Sequence, residues 1–254
     1  MGNTIHPTAI LEGNIELGTG NKIGPYVVMR GNIRIGDNNV IGSAAQFKNN
    51  LSIGNENRIY SGASIGAVGE MGLKGDRLVE EGKVVIGNQV TIREFVCIHS
   101  PVYTLETAIQ DQVYLMNKSY VAHDCVIGQG SVLSAGVLLG GRVVLEEGVT
   151  IGMGTTVHQR CHIGAYAMIG MQTPVNRDIL PFATVAGSPA RIIGFNRIGA
   201  ERNAYEESWM QEMEAFFKKD VLMGGSSDNP MMLLLHQFLL THPEALVRVR
   251  SAVD

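Results

Sequence analysis

Aliphatic residues return at every sixth position through most of this chain. One ladder runs Leu115, Val121, Ile127, Leu133, Leu139, Leu145, Ile151, Val157, Ile163, Ile169, Val175 without a miss. An earlier one runs Ile5, Leu11, Leu17, Ile23, Met29, Ile35, Ile41, Phe47, Ile53, Ile59, Ile65. A period of six fits neither an amphipathic helix nor a simple alternating strand; it is the repeat of a parallel β-helix. Such repeats cannot bury their apolar faces alone, so stacking must make the core continuous. Glycine often follows the ladder residue (Gly18, Gly24, Gly36, Gly42, Gly54, Gly66), which predicts corners with an unusual backbone angle.

The ladder breaks twice. Residues 67–84, AVGEMGLKGDRLVEEGKV, and residues 100–112 read as projecting loops, and long insertions in a regular solenoid are more often functional than decorative. After Asp178 the pattern fades. From about residue 198, ERNAYEESWMQEMEAFFKKDVLM and PMMLLLHQFLLTHPEALVRVRSAV carry apolar residues at helical spacing, separated by GGSSDNP with Pro230 placed to start a helix. The chain is thus predicted to be mainly β, a β-helix over 1–195 with a helical appendage over 196–254 that caps its open end.

If three hexads make one coil, residues 18 apart stack at about 4.8 Å. His123, Gly141 and Gln159 then form one column, Ala122, Gly140 and His158 the next, and Asp124 lies under Arg142. An imidazole, a carboxylate, bare backbone and a second imidazole gather within roughly 10 Å, the composition of an active site. A His123–Asp124 pair suits general-base chemistry, while Arg142 one coil above could compete for Asp124.

Composition narrows the picture. Net charge is −4 with no basic run, which argues against nucleic acid, and no apolar run approaches the length of a membrane span. Thirty-one glycines against seven Phe, seven Tyr and one Trp suit tight repeated turns around a thin aliphatic core. Cys125 and Cys161 fall two coils apart, too far for a disulfide, so all three cysteines read as reduced core residues of a cytoplasmic protein.

The ordered set IGAVGEMGLK, NKSYVAHDCVIG, LLGGRV, TVHQRCHIGA and GFNRIGAER, with the helical tail, resembles the LpxA family across essentially the whole chain. These are the acyl-carrier-protein-dependent UDP-N-acetylglucosamine O-acyltransferases of lipid A synthesis. The resemblance implies a left-handed parallel β-helix, a homotrimer with active sites between subunits, and acyl carrier protein and a sugar nucleotide as partners. No cofactor is implied beyond the carrier's own phosphopantetheine, and no metal. His123 would be the general base, Asp124 its orienter and Gly141 the backbone oxyanion donor. Lys74, His158, Gln159, Asn196 and Arg202 match binding positions, and Met171 falls where residue size sets acyl-chain length, implying a shorter donor chain.

Several positions depart from the family. Before the lysine of the first loop, where the family has an aspartate, the segment GEMGLK offers only Glu70; the substrate-binding candidates Tyr120 and Arg142 stand where the family has histidines; Ile198 and Asn203 replace a glutamate and an arginine of the nucleotide site. The acyl-transfer set is kept while the acceptor site has changed. Three rival readings compete with this one. A zinc carbonic anhydrase would use His99, His123 and His158, but paired metal histidines at short spacing are absent. A non-catalytic trimeric binding protein would have no need of the His–Asp pair. A CoA-dependent acyltransferase fits the AGSPARIIG segment, whereas the helical tail and the Lys74 loop favour the carrier-protein branch.

Overall fold

The computed structural model describes residues 2–70, 75, 77–219 and 228–245. Short parallel strands stack into a solenoid whose coils are set by the six-residue ladder. Leu115 pairs with Leu133, Leu133 with Ile151, and Ile151 with Ile169. Val121, Leu139, Val157 and Val175 form a second column, and Ile109, Ile127, Leu145 and Ile163 a third. These side chains point inward and are almost all fully buried. Three columns of aliphatic residues, closed by turns, therefore make the core.

Both interruptions leave the ladder residues in register, because each is an excursion between coils, although the register shifts just beyond Ile98, where His99 pairs with Ala67. Ile65 pairs with Ile98 and Ile98 with Val121. The first excursion lies between strands Ser64–Ala67 and Lys83–Ile86. The second is shorter than the sequence predicts, since strand Glu106–Ile109 already rejoins the wall inside the expected 100–112 loop. Ile109 is the ladder residue there, and the excursion is confined to residues 100–105.

Two readings of small residues need correction. Gly24, Gly42 and Gly54 do not adopt left-handed angles; a Cβ at Gly42 would lie 2.8 Å from the Ser61 nitrogen of the next coil. Close approach of coils excludes a side chain there; of the six glycines Gly66 alone is left-handed (φ 80°), and the other left-handed residues sit at separate turn positions such as Asn38, Glu56 and Gln89. Cys97 is not a core residue. It precedes the inward Ile98 and so faces outward, half-buried, while Cys125 and Cys161 are buried and all three are free.

An asparagine ladder, unforeseen from sequence, holds the N-terminal turns. The Asn21 side-chain carbonyl accepts from the Asn39 backbone N–H (2.9 Å), that of Asn39 from Asn57 (2.9 Å), and that of Asn57 from Val90 (2.7 Å). Each side-chain NH₂ donates to a glycine carbonyl of the following coil, and all three residues are fully buried. Asn39→Ala would strand buried donors and acceptors on both sides, at about 1–3 kcal/mol. A thermal or denaturant melt should show that loss, and an unchanged melt would remove the ladder's structural role.

The solenoid ends in an antiparallel hairpin, Ala183–Ala186 against Arg191–Phe195. Three helices follow: α1 (Arg197–Arg202), α2 (Glu207–Lys219) and α3 (Pro230–Thr241). Pro230 opens α3 as predicted, with the Asn229 side-chain carbonyl capping the Met231 N–H. Phe217 of α2 stacks on Phe195 of the hairpin, and Phe238 of α3 meets the His162 ring of the solenoid. The apolar helical stripe is thus core rather than ligand surface, and it packs against the C-terminal coils. Among the described residues no helix is long and apolar enough to cross a membrane.

Candidate active site

The turn after Val121 carries Ala122, His123 and Asp124, and Asp124 itself takes the left-handed angle (φ 61°) that closes the corner. Its backbone N–H donates to the Thr107 hydroxyl (2.8 Å). The carboxylate is buried and gathers the 100–105 excursion around itself. It accepts from the backbone N–H groups of Val102 (3.1 Å), Tyr103 (3.1 Å) and Thr104 (2.8 Å) and from the Thr104 hydroxyl (2.7 Å). Its other oxygen meets His123 Nδ1 at 2.6 Å.

Burial alone pushes the Asp124 carboxyl up, but the hydroxyl and amide of Thr104, the His123 ring and the Tyr103 amide outweigh it. The group is held below the usual carboxylate range. A carboxylate can only accept, so Nδ1 carries the proton and the lone pair of the neutral ring lies on Nε2. A lowered folded-state pKa adds stability that is complete above the unfolded value, about 3.9, and is lost as pH falls through the folded value. The stability difference between wild type and Asp124→Ala should therefore shrink below about pH 4. Thermal melts across pH 2–7 would show it; a difference that stays constant would mean that the carboxylate's charge is irrelevant.

The His123 ring lies against Gly141 of the next coil. A Cβ on Gly141 would fall 2.5 Å from Cε1 and 2.7 Å from Nε2, so only glycine leaves the ring where it is. The Gly141 N–H donates to no acceptor among the described residues. The Gly141 backbone and the imidazole thus border one small space. His123, Gly141, Arg142 and Gln159 line this cleft with Glu70, Tyr103 and Arg160, enclosing about 240 Å³.

The possible competition for Asp124 does not arise. Arg142 lies 4.1 Å over the Tyr103 ring, and Asp124 is fully engaged by the loop and His123. Tyr103 also tilts against the His123 ring at 5.7 Å. Tyr120 donates its hydroxyl to Glu70 (3.1 Å), so two departures from the family pattern meet each other. Burial first, then the Glu70 charge, pushes the Tyr120 phenol up, which keeps it a donor. His99 is buried edge-on against Tyr120.

The remaining candidates lie elsewhere. His158 is exposed, its Nδ1 directed at the Gln159 carbonyl (3.1 Å). Asn196 and Arg202 line a second cleft of about 490 Å³ with Ile198, Asn203, Glu147 and Tyr166. The Asn196 amide there caps α1 at Gly199 and donates to the Tyr166 carbonyl. Met171 is 64% exposed on this single chain. Lys74 lies outside the described residues. Among the described residues no three metal-ligating side chains converge.

Sequence reasoning misses Tyr103, Thr104, Thr107 and Arg160. Arg160 is within its reach, one further 18-residue step along Asp124 and Arg142. Nothing in the sequence signals that the excursion folds back onto Asp124.

Comparison with known proteins fits this geometry. No family model matches the chain. Among curated relatives, the acyl-[acyl-carrier-protein]–UDP-N-acetylglucosamine O-acyltransferase of Pseudomonas putida (strain W619) is 34% identical over 177 residues, 69% of this chain and 68% of that one. The chain belongs to this acyltransferase family. A second member, from Halorhodospira halophila (strain DSM 244 / SL1), is 36% identical over 62% of each chain. The matched stretches span about 55–68% of the length of such relatives. Solved acyltransferase structures extend the likeness in three dimensions. UDP-N-acetylglucosamine acyltransferase from Campylobacter jejuni aligns over 98% of this chain and all of its own (27% identity, TM-score 0.87). The Bacteroides fragilis enzyme aligns over 96% of this chain and all of its own (25% identity, TM-score 0.87). The solenoid is accordingly the left-handed parallel β-helix of that family.

Proposed function

We propose that the protein transfers a fatty acyl group from the phosphopantetheine thioester of acyl carrier protein to a hydroxyl or amine of a sugar nucleotide resembling UDP-N-acetylglucosamine. The observation that carries this reading is one arrangement: His123, fixed through Nδ1 by Asp124, lies with Nε2 against Gly141, whose N–H meets no acceptor among the described residues.

In the reaction, Nε2 takes the proton of the acceptor O–H or N–H as that atom attacks the thioester carbonyl carbon. Asp124 stabilises the imidazolium that results. The carbonyl oxygen gains negative charge as the tetrahedral intermediate forms, and the Gly141 N–H donates to it. Collapse reforms the carbonyl, breaks the C–S bond, and the departing sulfur takes its proton from His123.

The finer parts of the reading belong to the same proposal. A cytoplasmic homotrimer would set the second cleft, with Asn196 and Arg202, against a neighbour's His123 cleft, making one acceptor site from two chains. Gln159 and Lys74 would contribute to that site, with His158 beside them. The exposure of Met171 supports a role at such a boundary, where it would shorten the acyl channel, and the product would enter a lipid A type pathway.

Mass spectrometry of mixtures containing acyl carrier proteins of graded chain length and a panel of sugar nucleotides tests the reading. An acylated sugar nucleotide formed from the carrier-protein thioester is the expected result, with shorter chains preferred. Transfer from CoA thioesters alone would replace the donor assignment. Absence of any product would overturn the reading.

A further inference from the structure

The small cleft is lined by charges of both signs: Glu70, tied to the Tyr120 hydroxyl, and the two arginines Arg142 and Arg160. The two arginines occupy successive coils of the column that begins with Asp124. The Arg142 N–H donates to the His123 carbonyl and the Arg160 N–H to the Gly141 carbonyl. Their backbones are therefore stacked at about 4.8 Å, and both residues line the cleft.

Neither arginine meets a carboxylate among the described residues, whereas Arg30, Arg34, Arg93 and Arg197 each pair with a glutamate. Arg142 is held over the Tyr103 ring, and Tyr103 is anchored through its backbone to Asp124. A planar cation fixed this way presents its N–H edge at little entropic cost. Two like charges lining one cleft, neither paired with a carboxylate among the described residues, are stabilised when an oxyanion is placed between them.

We infer that Arg142 and Arg160 form an anion-recognition pair that holds a phosphoryl or carboxylate group of the acceptor close to its reacting atom. The assignment to the acceptor rests on the acyl-transfer reading of the same cleft. Arg142 directly follows Gly141, so the pair flanks the point where acyl carbon and acceptor meet. The donor's own phosphate lies at the far end of the pantetheine arm from its thioester, away from that point. Glu70, which lines the same cleft, repels an anion and so favours the arginines as its place of binding.

Calorimetric titration of the full-length protein tests the pair without requiring turnover. The probes are N-acetylglucosamine, its 1-phosphate, UDP-N-acetylglucosamine, UDP-glucuronate, pantetheine and 4′-phosphopantetheine. Wild type is compared with Arg142→Gln, Arg160→Gln, Arg142→Lys and Arg160→Lys, after melts confirm that each is folded. Each Gln variant should weaken the anionic sugars about 10–100-fold, the range of a lost charge-assisted hydrogen bond, and leave the neutral sugar unchanged. The Lys variants, which keep the charge, should retain most of the affinity. A greater loss for UDP-glucuronate than for UDP-N-acetylglucosamine would identify a carboxylate as the bound group, and equal losses a phosphoryl. In transfer assays the acceptor KM should rise with little change in kcat.

Unchanged binding in both Gln variants, or a loss confined to 4′-phosphopantetheine, would overturn the inference. Pair-dependent binding of anionic sugars in a protein that transfers no acyl group would instead overturn the acyl-transfer reading and leave the pair standing.

Discussion

His123→Ala is expected to fold normally and to transfer acyl groups about 10²–10⁴-fold more slowly than wild type, the range for loss of a positioned general base. The fold should survive because the ring is not what closes the corner. Asp124 keeps the N–H groups of Val102, Tyr103 and Thr104 and the Thr104 hydroxyl, and its own N–H still reaches Thr107. Only the 2.6 Å contact to Nδ1 disappears. Chemistry suffers because no other imidazole lines the cleft: His99 is buried against Tyr120 and His158 is exposed outside it. The residual rate would come from the Gly141 N–H and from substrate positioning. Steady-state kinetics beside a thermal melt decide the matter. Near-wild-type kcat with an unchanged melt would remove His123 from the mechanism, while collapse of the melt would mean that its role is structural.

The coils are legible in the sequence because stacking demands an aliphatic side chain at every sixth residue, and that demand leaves a mark no turn sequence can hide. The same arithmetic places Gly141 over His123, since an 18-residue step is a spatial contact in such a fold. It fails where the chain leaves the wall. The ladder signal at Ile109 stands alone between Tyr103 and Leu115, the positions six before and six after it, the first of which is not aliphatic, so the sequence predicts loop where the strand has already returned. For Asp124 the sequence offers His123 and Arg142 as partners, and it misses the backbone donors that surround the carboxylate because they come from an excursion with no periodic pattern. Cys97 is misplaced for a different reason: an apolar neighbour on each side says nothing about which face a residue takes, and its position one before Ile98 does. The acceptor-site candidates divide between two clefts of the chain, Gln159 and Arg142 lining one and Asn196 and Arg202 the other, a split that hexad spacing alone does not reveal.

Gly141→Ala should be nearly as damaging to turnover as loss of the histidine, by displacement rather than removal. The added methyl would lie 2.5 Å from Cε1, 2.7 Å from Nε2 and 3.1 Å from Nδ1, so the ring must move. It cannot simply swing away, because Nδ1 is held by a carboxylate that is itself fixed by four loop contacts. Either that contact breaks or the imidazole tilts out of line with the acceptor, and a misplacement of about 1 Å can cost about 10²-fold in rate. The Gly141 N–H is retained, so the loss would report on the ring and not on the oxyanion donor. Gly136 supplies the control: it sits at φ 69° with nothing within 4 Å of the methyl that alanine would add, so Gly136→Ala strains the backbone without touching the site. The control should lose roughly 1 kcal/mol of stability with kcat unchanged, whereas Gly141→Ala should melt near wild type with kcat down by about 10²-fold. Equal kcat in Gly141→Ala and wild type would mean that the ring and the glycine backbone do not act together, and the shared space between Nε2 and the Gly141 N–H would cease to explain the chemistry.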